Sequence, residues 1–216
     1  MSAKRGVNMP VPLKYSNIYI PVKYFLTSYR ALSDGKIGVR HLEEYLKSEA
    51  FLLSEWKVFW IGACALLRTS VALFNVDAKS CINQEVREQI HSEWKSIKEN
   101  KEDHPIFWEF LRKERDNIIH QYEWAAYEVW MDQDGTIRPV GMSLLDIRPK
   151  DVNSVLIMRG GLYKNRNSLD LLKESAEWVE ERIYGAIRRA GFDPDENRNP
   201  VNFQKRPPGL LAQPSN

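Results

Sequence analysis

The chain has 216 residues, with 31 lysines and arginines against 29 aspartates and glutamates, a formal net charge of +2. A balance so near neutral excludes a protein that coats polyanions with bulk charge, while leaving room for a local basic patch. The most apolar run, VFWIGACALLRTSVALF over 58–74, contains Arg68 and falls short of the roughly 20 residues a spanning helix needs, so it reads as a buried core helix.

The opening MSAKRGVNMPVP is polar and has no apolar core of a secretory signal, so residues 1–14 read as a flexible arm. Pro21 opens a predicted helix over VKYFLTSYRALS that ends at an Asp34–Gly35 turn. One long helix is then expected from His41 to Phe74. Leu42, Leu46, Leu53, Trp56, Trp60, Ala63, Leu67 and Phe74 recur at the three- and four-residue steps of a single helical face. A third helix fits 82–99, with Val86, Ile90, Trp94 and Ile97 inward, and KENKEDHP breaks it. Asp103 is placed to cap the next helix, with Pro105 in its first turn, and that helix is expected to run to Ala126.

Beyond it the period changes. YEVWM, a DQDG turn and TIRPV predict a β-hairpin, and SVLIM a further strand stopped by Gly160–Gly161. The last helix covers Leu169 to Arg189, with Leu172, Ala176, Val179, Ile183 and Ile187 inward, and Gly191 ends it. The expected organisation is a mainly α-helical domain over 15–190. It carries a small β insertion at about 127–160, before the last helix, and a tail over 191–216. Cys64 and Cys81 make neither a disulfide framework nor a CxxC zinc pattern, which fits reduced thiols in a cytoplasmic protein. His41, His91 and His104 lack metal-ligand spacing and read as surface residues, so no metal or cofactor is expected.

The chemistry-bearing stretch is RDNIIHQY, residues 115–122. Histidine transfers protons in either direction near neutral pH. Arginine offers a planar fork of donors that matches phosphate oxygens. In RNA the ribose 2′-OH is a built-in nucleophile, so a base, an acid and a cation suffice for cleavage. Residues five apart on a helix differ by a net angle of roughly 140°, so Arg115 and His120 point different ways. A two-fold dimer pairing these helices would gather two of each into one cleft. Tyr122 falls on the stripe of Phe107, Phe110, Leu111 and Ile118. Glu114 lies inside the same stripe, either as a buried partner for Arg68 or Arg115 or as a sign of shifted helical phase.

The segment from Arg115 to Tyr122 resembles the signature of HEPN domains: arginine, a polar residue, then histidine four to six positions on. The tyrosine two residues past the histidine is similar to that of HEPN toxins paired with minimal nucleotidyltransferase antitoxins. The resemblance covers these eight positions and their helical context. It implies a HEPN-like bundle of four or five helices, a homodimer joining two motifs, and metal-independent RNA cleavage that leaves a 2′,3′-cyclic phosphate. Arg115 and His120 would be catalytic, Asp116 would orient or tune them, and Tyr122 would be a nucleotidylation target. The expectation is a cytoplasmic ribonuclease of the toxin or anti-phage kind, with RNA as substrate and a nucleotidyltransferase antitoxin as partner. The competing expectation is a non-catalytic HEPN-like module that binds a partner or a nucleotide.

Overall fold

A computed structural model describes residues 18–48, 55–81, 83–139 and 152–199, so the N-terminal arm and the tail beyond 199 lie outside the described residues. Elements follow the order β1 (Ile20–Pro21), a 3-10 turn (Val22–Phe25), α1 (Thr27–Lys47), α2 (Glu55–Ala72), α3 (Phe74–Ser80) and α4 (Gln84–Glu99). A π-wound turn (Ile106–Leu111) leads straight into α5 (Arg112–Gln121). Then come β2 (Ala126–Met131), β3 (Ile137–Pro139), β4 (Asn153–Met158), α6 (Ser168–Arg189) and β5 (Asn197–Arg198). The described residues are mainly helical, with two small antiparallel sheets among them.

The helix expected over 41–74 is two antiparallel helices. Lys47 ends α1, Ser48 is extended (φ −74°, ψ 149°), and its N–H and hydroxyl both donate to the Tyr45 carbonyl at 3.0 and 2.8 Å. After 49–54, which lie outside the described residues, α2 runs back along α1. Phe59 lies against His41 and Tyr45, Ala63 against Gly38, Leu67 against Gly35, and Ser70 donates to the Ser28 carbonyl at 2.6 Å. Both helices turn apolar residues to one core, so the three–four spacing continues across their junction without a single helix beneath it.

The Asp34–Gly35 turn is also absent, and α1 passes through it. A Cβ on Gly35 would meet Leu67 Cδ2 at 2.9 Å, so the missing side chain serves close helix packing. The N-terminus of α1 is capped from α3, where the buried Asp77 accepts from the N–H groups of Thr27 and Ser28 at 2.8 and 2.9 Å.

Helix α4 begins as expected, with Asn83 accepting from the Val86 N–H at 2.9 Å. The next start differs: Asp103 makes no side-chain cap, and the His104 carbonyl accepts from Phe107 and Trp108 at 3.1 and 3.2 Å. The hairpin forms as read, with Val129↔Pro139 and Met131↔Ile137 paired and Gly135 at φ 78°. SVLIM becomes β4, antiparallel to β2 from Ala126↔Met158 to Met131↔Asn153, in the order β3-β2-β4. In α6 the five residues expected inward are all buried, and Asn167 caps it by accepting from Leu169 and Asp170.

The start of the expected tail is tied down. Gly191 (φ 84°) turns the chain back, β5 pairs with β1 through Ile20↔Arg198, and Val22 donates to the Glu196 carbonyl at 3.0 Å. Lys23 lies among the rings of Tyr24, Tyr29 and Tyr184 and pairs with Asp195.

Among the described residues no single helix is long and apolar enough to cross a membrane. Helices α2 and α3 reach that length only together, across a 41° bend. Their apolar residues Trp60, Ala63, Leu67, Val71 and Phe74 are buried in the core, and Cys64 and Cys81 are buried free thiols.

Candidate functional site

The motif helix is fixed by its apolar side. Phe107, Phe110, Leu111 and Ile118 are buried, and Phe110 meets the fully buried Trp60 of α2 edge-on at 5.9 Å. Glu114 sits in the same stripe at 2% exposure, in phase, and among the described residues no arginine pairs with it. Trp60 Nε1–H donates to its Oε1 at 2.8 Å, and the Ala125 N–H donates to both oxygens at 3.0 and 3.1 Å. Burial pushes the Glu114 carboxyl above the usual carboxylate range, and the hydrogen bonds from Trp60, Ala125 and Ala126 pull against that rise. This carboxylate therefore ties α2, α5 and the first residues of β2 into one rigid unit.

On the other side of the helix the charges gather. Arg115 Nη1–H donates to Asp116 Oδ1 at 2.9 Å, and Arg112 Nε lies 3.6 Å from Asp116 Oδ2. Arg115 and Asp116 are half-buried, with side-chain exposures of 28% and 35%. Arg68 of α2 lies within electrostatic reach of them. Burial lowers its basicity first, and the nearby Arg115 and Arg112 charges add to that effect against the opposing pull of Asp116. Its Nε is shielded from solvent and has no hydrogen-bond partner among the described residues. Two guanidiniums thus hold one carboxylate, and the charge of a third, Arg68, is felt nearby.

His120 occupies the last turn of α5 and is exposed. Among the described residues no hydrogen bond or ion pair joins its ring to Arg115 or Asp116, so the chain brings Arg115 and Asp116 together and leaves His120 apart. Helix α5 stops at Gln121, short of the expected Ala126. Tyr122 takes the left-handed conformation (φ 54°, ψ 37°), and Glu123 N–H donates back to the Asn117 carbonyl at 3.3 Å. This end swings Tyr122 off the apolar stripe. It is 73% exposed, rather than packed as helical phase predicts, and its ring meets Trp124 edge-on at 5.5 Å. A non-glycine residue in this region costs roughly 1–2 kcal/mol, an expense that tends to persist at functional positions.

An open groove of about 670 Å³ runs along the N-terminal half of the same helix, lined in part by Trp108, Arg112, Asp116, Asn117 and Leu162. Arg112 and Lys101 lie over the Trp108 ring at 4.8 and 4.9 Å. Sequence reasoning missed Arg112 and Arg68 as members of the site. The available signals were the four-residue step from Arg112 to Asp116 and a lone arginine inside the most apolar run. It also misplaced His104, which is 7% exposed and lies edge-on to Trp178 at 5.6 Å. His41 and His91 are exposed, as expected. Among the described residues no group of three or more His, Cys, Asp or Glu side chains converges as metal ligands would.

Comparison with known proteins gives no matching family model, no matching characterised protein and no matching solved structure.

Proposed function

We propose that this chain is a metal-independent endoribonuclease of the HEPN toxin or anti-phage kind, working in the cytoplasm as a homodimer. One observation carries the reading. Arg115, oriented by Asp116 amid a surplus of positive charge, shares a short helix with an exposed histidine one and a half turns later. Ile119 and Tyr122, both exposed apolar side chains beside the motif, favour pairing of two such helices about a two-fold axis.

In that cleft one His120 takes the proton of a ribose 2′-OH, whose oxygen attacks the adjacent phosphorus. The P–O5′ bond breaks, the 5′-oxygen receives a proton from the second His120, and a 2′,3′-cyclic phosphate remains. Arg115 binds the non-bridging oxygens as their charge grows. No metal or cofactor is required by this chemistry. Tyr122, held out by the helix end, is the hydroxyl that a nucleotidyltransferase antitoxin would modify.

The test is purified protein incubated with single-stranded RNA, with and without EDTA, followed by analysis of the product ends. Cleavage is expected to survive chelation and to leave cyclic phosphate ends. His120→Ala should lose about 10²–10⁴-fold in rate. Arg115→Ala should lose a comparable factor, and Arg115→Lys should recover only part of it because an ammonium lacks the fork. Cleavage that EDTA stops, or that persists in His120→Ala, would put the chemistry on other residues. The arginine cluster would equally serve a non-catalytic HEPN-like module that holds a nucleotide or partner phosphate. Binding without any cleavage selects that second reading.

A further inference from the structure

We infer that Arg68, Arg112 and Arg115 form a built phosphate-binding site, with Asp116 as an internal placeholder that a phosphoryl group displaces or bridges. Three guanidiniums within electrostatic reach of one another, against a single carboxylate, leave two positive charges unmatched. Such crowding is unfavourable without a counter-anion, the more so where a side chain is partly buried.

Geometry adds the second part. Asp116 divides its two oxygens between Arg115 and Arg112, as a phosphate would divide its own. The Arg68 Nε is buried with no acceptor among the described residues, although a guanidinium so placed ordinarily finds one. Arg68 comes from α2, and α2 is locked to α5 through Trp60 and Glu114, so its backbone is fixed relative to Arg112 and Arg115. Arg112 and Asp116 also line the groove beside Trp108, though Arg68 and Arg115 do not.

The inference deepens the ribonuclease reading by giving the strand a second helix to grip, and it takes from that reading only that the strand is RNA. Binding is measured on the full chain with a single-stranded 2′-O-methyl oligoribonucleotide, which cannot be cleaved through its 2′ position, and separately with inorganic phosphate. Fluorescence anisotropy reports the strand, and the thermal midpoint reports phosphate. Arg68→Gln should weaken strand binding roughly ten- to hundredfold, the usual worth of a charged hydrogen bond. It should also lower the salt slope by about 0.7 for each phosphate that is no longer neutralised. Asp116→Asn should tighten binding several-fold, because the placeholder no longer competes.

A strand that binds while phosphate does not shift the midpoint assigns the site to nucleic-acid phosphate. An Arg68-dependent shift with phosphate alone assigns it to a free phosphoryl ligand. A folded Arg68→Gln protein with wild-type affinity for both probes overturns the inference, as does a wild type that binds neither. If Arg68→Gln fails to fold, Arg112→Gln and Asp116→Asn decide: unchanged binding in both overturns it. Binding that holds while natural RNA goes uncleaved leaves this site standing and removes only the ribonuclease.

Discussion

Glu114 and Asp116 stand two residues apart on one helix and have opposite surroundings. Glu114 is buried, and its oxygens meet an indole N–H and backbone N–H groups, with no cation among the described residues. Asp116 is a third exposed and lies between two guanidiniums with a third close by. A two-residue step turns a helix by about 200°, so neighbouring carboxylates look to opposite sides of the element. The side facing α2 spends its charge on holding the fold. The side facing solvent holds its charges in partly exposed ion pairs. An acidic residue in an apolar stripe is thus as informative as one beside an arginine, but about structure rather than chemistry.

The largest expected effect on stability that separates the two is Glu114→Ala. It strands the Trp60 and Ala125 N–H groups without an acceptor and opens a void beside Phe110. Unsatisfied buried donors cost about 1–3 kcal/mol each, so a loss of about 3 kcal/mol is expected. Urea unfolding followed by tryptophan fluorescence measures it. A loss under about 1 kcal/mol would mean that water or a backbone shift replaces the carboxylate, and the two carboxylates would then not differ as argued.

Acidity sharpens the same contrast. Burial raises the Glu114 carboxyl in the folded protein, so the folded state holds its proton more tightly than the unfolded chain does. The stabilising contribution is complete below the ordinary value of 4.5 and is lost as pH rises through the raised value. Burial of Asp77 has the same sign. His104 has the opposite one. Burial, and then the Arg182 charge, depress its imidazole against the pull of Glu93 and Asp103. Its contribution is therefore present above the ordinary 6.5 and lost as pH falls towards the depressed value. Thermal midpoints taken from pH 4 upward should show the wild type losing ground relative to Glu114→Gln as pH rises. Relative to His104→Phe, the wild type should lose ground as pH falls below about 6.5. Parallel curves for either pair would show that the removed group does not titrate between the folded and unfolded states.

Much of this molecule was legible in the residues. Apolar spacing placed α4, α6 and the motif helix, and the Asp-Gly turn placed the hairpin, because each signal is local. What failed depends on distant partners. Gly35 looks like a turn residue until Leu67 is laid against it, and the 41–74 stripe looks continuous because two antiparallel helices feed one core. His104 looks polar and exposed until Trp178 of α6 covers it. Near the motif, helical phase separates Arg115 from His120, and in the structure Arg115 pairs with Asp116 and not with His120. The contributions of Arg68 and Arg112 were not legible, since Arg68 reaches the cluster only once α2 folds back on α5. The exposure of Tyr122 followed from a left-handed helix end that no glycine announces.

The smallest expected effect belongs to Asp116→Ala. The carboxylate screens Arg112 from Arg115, so its removal leaves like charges facing one another, and the folded state should lose some stability. Both ion pairs, however, are partly open to water, with Arg112 47% and Asp116 35% exposed, and such pairs are worth about 0–1 kcal/mol. The arginine stems keep their packing, and no buried donor is stranded. Stability should therefore change by less than about 1 kcal/mol in 0.15 M salt, and by more as ionic strength falls, because the Debye length grows from about 8 Å to about 30 Å at 0.01 M. Urea midpoints at the two salt concentrations measure the change. A loss matching that of Glu114→Ala, or one indifferent to salt, would mean that Asp116 is a structural strut as well and that the arginines around it are held for the fold.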